Sequence, residues 1–196
     1  MSVPPAPPLL LASRSPQRRA ILEQLGIPFE VVEPRYEEAL SVGEPVETVR
    51  KHARGKARSV ADLAAGVPVL GVDTEVVVDG RVLGKPEDPT EAETMLEVLG
   101  GRTHRVISGL CLVTPAWEVV EHDLTLVSFR PLDARDLAAY IGTGEWRGRA
   151  GAYAIQGRGA ALVERIEGDY LNVVGLPGAL LVRLLAERFA GVYGFG

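Results

Sequence analysis

Two carboxylates, Asp73 and Glu75, stand two residues apart in the apolar run VPVLGVDTEVVV, residues 67–78. Extended chain repeats every two residues, so Gly71, Asp73 and Glu75 share one strand face while Leu70, Val72, Thr74 and Val76 share the other. Neighbouring carboxylates repel. They become favourable when a divalent cation lies between them or when one carries a proton for use as a base. The run ends at Asp79-Gly80, a two-residue hairpin signal. Pairing Val78 with Arg81 then sets Thr74 opposite Lys85 and Asp73 opposite Pro86, which brings an ammonium group next to Asp73. A purely structural ion pair accounts for that neighbour equally well.

The cations come from other segments. In SRSPQRRAILEQLG, residues 13–26, Ser15 is a good N-cap, Pro16 suits the first helical position and Gly26 is a natural stop. Arg18 and Arg19 then face the positive end of the helix dipole, an arrangement unfavourable by a few tenths to about 1 kcal/mol. A docked anion reverses the sign, because backbone N–H groups, the Ser13 and Ser15 hydroxyls and the guanidinium groups would all point at it. Arg18 shares a face with Leu22 and Leu25 and leans toward the packed side, whereas Arg19 lies near Glu23 and suits a surface pair. Two snorkelling surface arginines are the plain alternative.

In the next helix, Val46, Val49, Ala53, Val60 and Leu63 recur at i, i+3, i+7, i+14 and i+17, and the missing i+10 position is Lys56. An ammonium group on an inward stripe needs an anionic partner. Gly55 beside it costs about 1 kcal/mol in a helix interior, which makes sense where something approaches closely. In AGAYAIQGRG, residues 150–159, Gln156 lies among glycines that admit a ligand to the backbone, and its amide complements the alternating carbonyl and N–H edge of uracil or thymine.

Arg18, Arg19, Lys56 and Lys85 with Glu38, Asp73 and Glu75 suit a polyphosphate with a bound metal, where a carboxylate activates water. Other chemistries lack their parts. Cys111 is the single cysteine and sits in the apolar SGLCLVT, and His52, His104 and His122 have no zinc-ligand spacing.

These residues must be positioned by a chain of 196 residues, 46% hydrophobic and 24% charged, with a formal charge of −5. That balance gives no broad positive field for a polynucleotide. The proline-rich residues 1–8 carry neither a basic leader nor a long apolar stretch and read as a flexible tail, with a single domain over 9–196. A membrane span is not expected, and a reducing cytoplasm is the predicted compartment. Strands are predicted at 9–12, 27–34 and 67–78, in the return of the hairpin, and at 103–114, 119–130 and 160–166. Helices are predicted at 16–25, 46–65, 90–99, 134–141 and 177–188. Their alternation, without the rhythm of a barrel, predicts an α/β protein with a bent mixed β-sheet flanked by helices and a cleft.

Three segments together resemble the Maf family of nucleoside triphosphate pyrophosphatases, also called septum formation inhibitor proteins. They are LLLASRSPQRRAILEQLGIPFEV, GVDTEVVVDGRVLGKPEDPTEAETMLEVLGGRTHRVISGL and AGAYAIQGRGAALVERIEGDYLNVVGLP. The resemblance implies a fold like that of the inosine triphosphatase group, with a cleft between two lobes and often a homodimer. It also implies hydrolysis of a nucleotide to a monophosphate and pyrophosphate with Mg²⁺ or Mn²⁺, a house-cleaning role. By the same resemblance Asp73 is the base, Ser13, Arg18, Lys56 and Lys85 bind phosphates, and Glu38 is a metal or water partner, sharing the ion with Asp73. Thr74 and Gln156 choose the base in the dTTP and UTP branch. Gln17 departs from the arginine usual there and leaves base preference open. Glu75 also departs, and either strengthens metal binding or faces solvent. Strict alternation puts Asp73 and Thr74 on opposite faces, so either the strand bulges near Gly71 or Thr74 works through its backbone. The alternatives to a dTTP/UTP pyrophosphatase are an enzyme preferring a modified purine such as 7-methyl-GTP, and a non-catalytic nucleotide-sensing regulator of cell division.

Overall fold

The computed structural model describes residues 6–38 and 43–195. Among these, seven strands form one mixed sheet: β1 (Leu9–Ala12), β2 (Phe29–Val32), β3 (Val69–Val78), β4 (Arg81–Leu83), β5 (Thr103–Val113), β6 (Glu118–Phe129) and β7 (Val163–Glu167). Their order is β2-β1-β3-β5-β6-β7, with β4 paired to β3. The β1–β2 and β1–β3 pairs are parallel, and the remaining pairs are antiparallel. The helices are α1 (Pro16–Gln24), α2 (Pro45–Arg58), α3 (Pro89–Leu99), α4 (Ala134–Ile141), α5 (Tyr170–Val174) and α6 (Gly178–Phe189). The α/β class, the mixed sheet and most of the expected elements are therefore present. Of the expected tail, residues 1–5 lie outside the described residues, and Ala6 packs on the core.

Alternation sorts the two sheet faces. Leu70 and Val72 of β3 pack with Ile21 and Leu22 of α1 and Leu181 and Leu184 of α6. Val69, on the other face, packs with Ala53 and Ala57 of α2. Helix α2 lies close to the sheet because Gly71 and Gly109 have no side chains: a Cβ on either would overlap the α2 backbone, at Ala53 and Val49 respectively. Further along the first face, Val76 and Val78 join Ala92 and Leu96 of α3 and Tyr140 of α4 in a separate core cluster.

Beside β3 the sheet has a notch. On one edge, β1 pairs with Val69, Leu70 and Gly71, and β4 pairs with Val76, Val77 and Val78. Residues 72–75 between them have no strand partner on that edge among the described residues, while β5 pairs continuously along the other. The chain leaving β1 at Ser13 and the chain leaving β4 both turn at this gap.

Three expectations need correction. Helix α2 ends at Arg58, well short of residue 65, because the Ser59 hydroxyl donates back to the Lys56 carbonyl at 2.8 Å and Val60 leaves the helical region at φ −129°. Leu63 therefore drops off the apolar stripe and is 53% exposed. A short helix, α5, stands between the expected strand at 160–166 and the helix at 177–188, where no element was expected, started by the Asp169 carboxylate, which accepts from the Leu171 N–H at 2.8 Å.

Candidate active site

The notch opens into a cavity of about 630 Å³ lined by residues from every segment singled out in the sequence, among them Ser13, Arg18, Lys56, Asp73, Lys85 and Gln156. At its centre is Lys56. Its stem runs along the inward stripe of α2, and its Nζ lies 2.6 Å from Asp73 Oδ1 and 2.7 Å from Glu38 Oε1. The Lys56 and Asp73 side chains are 8% and 10% exposed and Glu38 is 54% exposed, so the first pair is buried and the second is at the mouth. Burial works to raise the Glu38 pKa, but the Lys56 hydrogen bond and the charges of Lys56, His52 and Lys85 outweigh it and hold Glu38 below the ordinary value.

Arg18 enters from the opposite face. Its Nε donates to the Gly175 carbonyl at 2.9 Å, Nη1 to Ser13 Oγ at 3.2 Å and Nη2 to Thr74 Oγ1 at 3.3 Å. All three acceptors are neutral. Burial lowers its pKa, while Asp73 and Glu38 act to raise it from a distance. Ser13 is 3% exposed, and its Oγ accepts from Arg18 and from the Ser15 N–H at 3.1 Å, so its own hydroxyl proton remains to be donated. Arg19 is exposed on the outer side of α1, as the surface alternative required.

The parity problem of Asp73 and Thr74 resolves without a bulge. The β3–β5 register is unbroken from Val69 to Val77, and the two side chains do leave on opposite faces: Asp73 to Lys56 of α2, Thr74 to Ser108 at 2.9 Å and to Arg18. Both still line the cavity, because the notch lets it reach around the open edge of β3. Gly71 serves the approach of α2. Glu75 is 7% exposed and does not face solvent.

The predicted contact between Lys85 and Asp73 is absent. The hairpin turns at Asp79-Gly80 and pairs Val78 with Arg81 as expected, but the ladder stops at Leu83. The Gly84 carbonyl is taken instead by the Gly151 N–H at 3.0 Å, which draws the chain off β3 before Lys85. Lys85 still lines the cavity, and its charge reaches Glu38.

Two cavity residues escaped the sequence reading. The Tyr36 ring fills the space that a side chain at position 55 would occupy, so Gly55 exists to admit it. Its hydroxyl is 2.9 Å from Nδ1 of His52, one α2 turn before Lys56. Gly55 was the available signal, and what approaches it closely is a protein side chain. The second residue, Arg149, lies between Gly148 and Gly151, both at positive φ. Gln17 and Gln156 both line the cavity, and Gln17 Oε1 accepts from the Ser15 hydroxyl at 3.1 Å, which leaves its NH₂ group outward.

The model of the Maf-like proteins matches residues 8–188. The chain belongs to the Maf family. It is 50% identical over 180 residues to a Symbiobacterium thermophilum Maf relative named dTTP/UTP pyrophosphatase, an alignment covering 91% of this chain and 93% of that one. Relatives of the same name match from Moorella thermoacetica (48% identity, 95% and 97% covered) and Deinococcus radiodurans (42%, 97% and 97%). Among solved structures, the Staphylococcus aureus Ham1 protein aligns with a TM-score of 0.42 and 16% identity, over 63% of this chain and 72% of that one.

Proposed function

We propose that this Maf protein hydrolyses dTTP, UTP and related pyrimidine nucleoside triphosphates to a monophosphate and pyrophosphate. One observation carries the reading. A guanidinium held only by neutral acceptors and a carboxylate pinned by a buried ammonium meet in one cavity, so an anion-binding group adjoins a fixed carboxylate base.

In this scheme Arg18, Lys85 and the Ser13 hydroxyl hold phosphate oxygens, while Lys56 orients Asp73. Asp73 takes the proton of a water whose oxygen bonds to phosphorus. The anhydride bond between the α and β phosphates breaks, and its electron pair leaves on the pyrophosphate oxygen. Gln156, Thr74 and the outward amide of Gln17 face the base.

A divalent metal fits the donor set. Glu38 and Asp73 each give one carboxylate oxygen to Lys56 Nζ, and their other oxygens are the ones that would hold the ion. Among the described residues there is no group of three or more His, Cys, Asp or Glu side chains suited to a metal. An ion held by two carboxylates and completed by substrate phosphates is the usual Mg²⁺ arrangement. When bound, Mg²⁺ or Mn²⁺ would neutralise phosphate charge. Among the described residues no helix is long and apolar enough to cross a membrane.

The test is pyrophosphate release from a panel of nucleoside triphosphates, methylated pyrimidines and 7-methyl-GTP included, with Mg²⁺ or Mn²⁺. The wild type should turn over dTTP and UTP fastest, and Asp73→Asn should lose at least about a hundredfold, in line with general base catalysis. Equal rates in both proteins would remove Asp73 as the base. Binding without turnover of any triphosphate would favour a sensing regulator. Gln17→Arg, run on the same panel, should sharpen the preference among bases.

A further inference from the structure

Five cations line the cavity: Arg14, Arg18, Lys56, Lys85 and Arg149. Three are already engaged. Lys56 is shared by Asp73 and Glu38, Arg14 pairs with Glu33 at 2.9 Å, and Arg18 spends three donors on protein oxygens. Lys85 and Arg149 form neither a side-chain hydrogen bond nor an ion pair with any described residue. Arg149 is half-buried, and burial lowers its pKa against the pull of Tyr140 and Glu145. The carboxylate of Glu145 is directed elsewhere, accepting from the Arg158 N–H at 3.1 Å and the Gly159 N–H at 3.4 Å.

The backbone ties together the two segments that carry these like charges. The Gly151 N–H donates to the Gly84 carbonyl at 3.0 Å, which ties the loop carrying Arg149 to the segment carrying Lys85. Gly151 has φ +68°, and a Cβ there would stand 2.9 Å from Val76 Cγ1, so the junction is close and requires glycine. Two cations that line one cavity with their side-chain donors unspent are unfavourable alone and favourable around a polyanion.

We propose that Arg149 and Lys85 form a clamp for the pyrophosphate end of the nucleotide, and that Arg149 is a substrate-binding residue of this enzyme. The inference rests on the pyrophosphatase reading. The cleavage step places its new charge on the departing pyrophosphate, which is where cations free of carboxylates contribute most. Arg149, with five N–H donors in a planar fork, suits the two phosphates better than a point charge does.

The experiment measures binding of inorganic pyrophosphate, a nucleoside triphosphate and the matching monophosphate by calorimetry to wild type, Arg149→Gln, Arg149→Lys and Lys85→Gln. Arg149→Gln should weaken pyrophosphate and triphosphate binding by about ten- to a hundredfold, the worth of a charged hydrogen bond. Monophosphate binding should change less than about threefold. Arg149→Lys should restore part of the loss, and Lys85→Gln should repeat the pattern. Because the Arg149 side chain bonds to no described residue, its removal leaves no described partner unpaired, and equal melting temperatures would confirm an intact fold. Unchanged pyrophosphate binding in Arg149→Gln would overturn the clamp, as would equal losses for mono- and triphosphate. Wild type that binds pyrophosphate but hydrolyses no triphosphate would sink the pyrophosphatase reading and leave the clamp standing.

Discussion

Replacing Lys56 with methionine separates the energetics of this site from its chemistry. Lys56 holds two carboxylates, whereas Asp73 has Lys56 as its ion-pair partner among the described residues. Removing the ammonium leaves Asp73 charged in a position 7% exposed, and an uncompensated buried charge costs about 3–5 kcal/mol. The Glu38 pair, half in solvent, adds at most about 1 kcal/mol. Asp73→Asn is milder, because Lys56 keeps Glu38 and an amide oxygen still accepts from Nζ; about 1 kcal/mol is expected. Combining the two changes should recover most of the Lys56→Met loss. With a urea slope of about 2 kcal/mol/M, the midpoint should fall by roughly 1.5–3 M in Lys56→Met and by about 0.5 M in Asp73→Asn. Equal midpoints for the two single variants, or additive losses in the double one, would refute the view that Lys56 compensates a buried charge.

Two further outcomes follow from the packing. Gly55→Ala should destabilise the wild type by displacing the Tyr36 ring, yet stabilise a Tyr36→Ala background by about 1 kcal/mol through helix propensity, and urea midpoints of the four proteins will show whether the sign reverses. His104 is buried against Tyr153, Nε2 to hydroxyl at 2.8 Å, and burial lowers its pKa from 6.5 to about 4. Between those values the unfolded chain takes up a proton that the folded one refuses. Stability therefore falls as pH drops from 6.5 toward 4, by about 3 kcal/mol at most, and His104→Gln should flatten that limb of a pH series of urea midpoints.

The parts of the site legible in the sequence were those that violated a period. Lys56 stood out because it interrupted an apolar stripe, and Asp73 because it charged an apolar strand; each proved to be the other's partner. Arg18 was legible from its place at a helix start. Lys85 was misplaced, because pairing rules extend a ladder until something competes for its carbonyls, and the competitor, Gly151, lies 67 positions later in the chain. Tyr36 and Arg149 sit on irregular segments, where no periodicity exists to be broken. The end of α2 depended on one hydroxyl returning to a carbonyl, and α5 is too short to carry a periodic signal of its own.

The missing stretch of hydrogen bonding beside residues 72–75 gives one strand access to its surroundings from above and below at once. Under the proposed roles, water activation hangs from an odd-numbered position and base choice from the even-numbered one next to it, with the sheet itself as the partition. Substitutions at Thr74 can then retune which nucleotide is accepted while the hydrolytic machinery behind the partition stays as it was. A family built on this plan could diversify its substrates one side chain at a time.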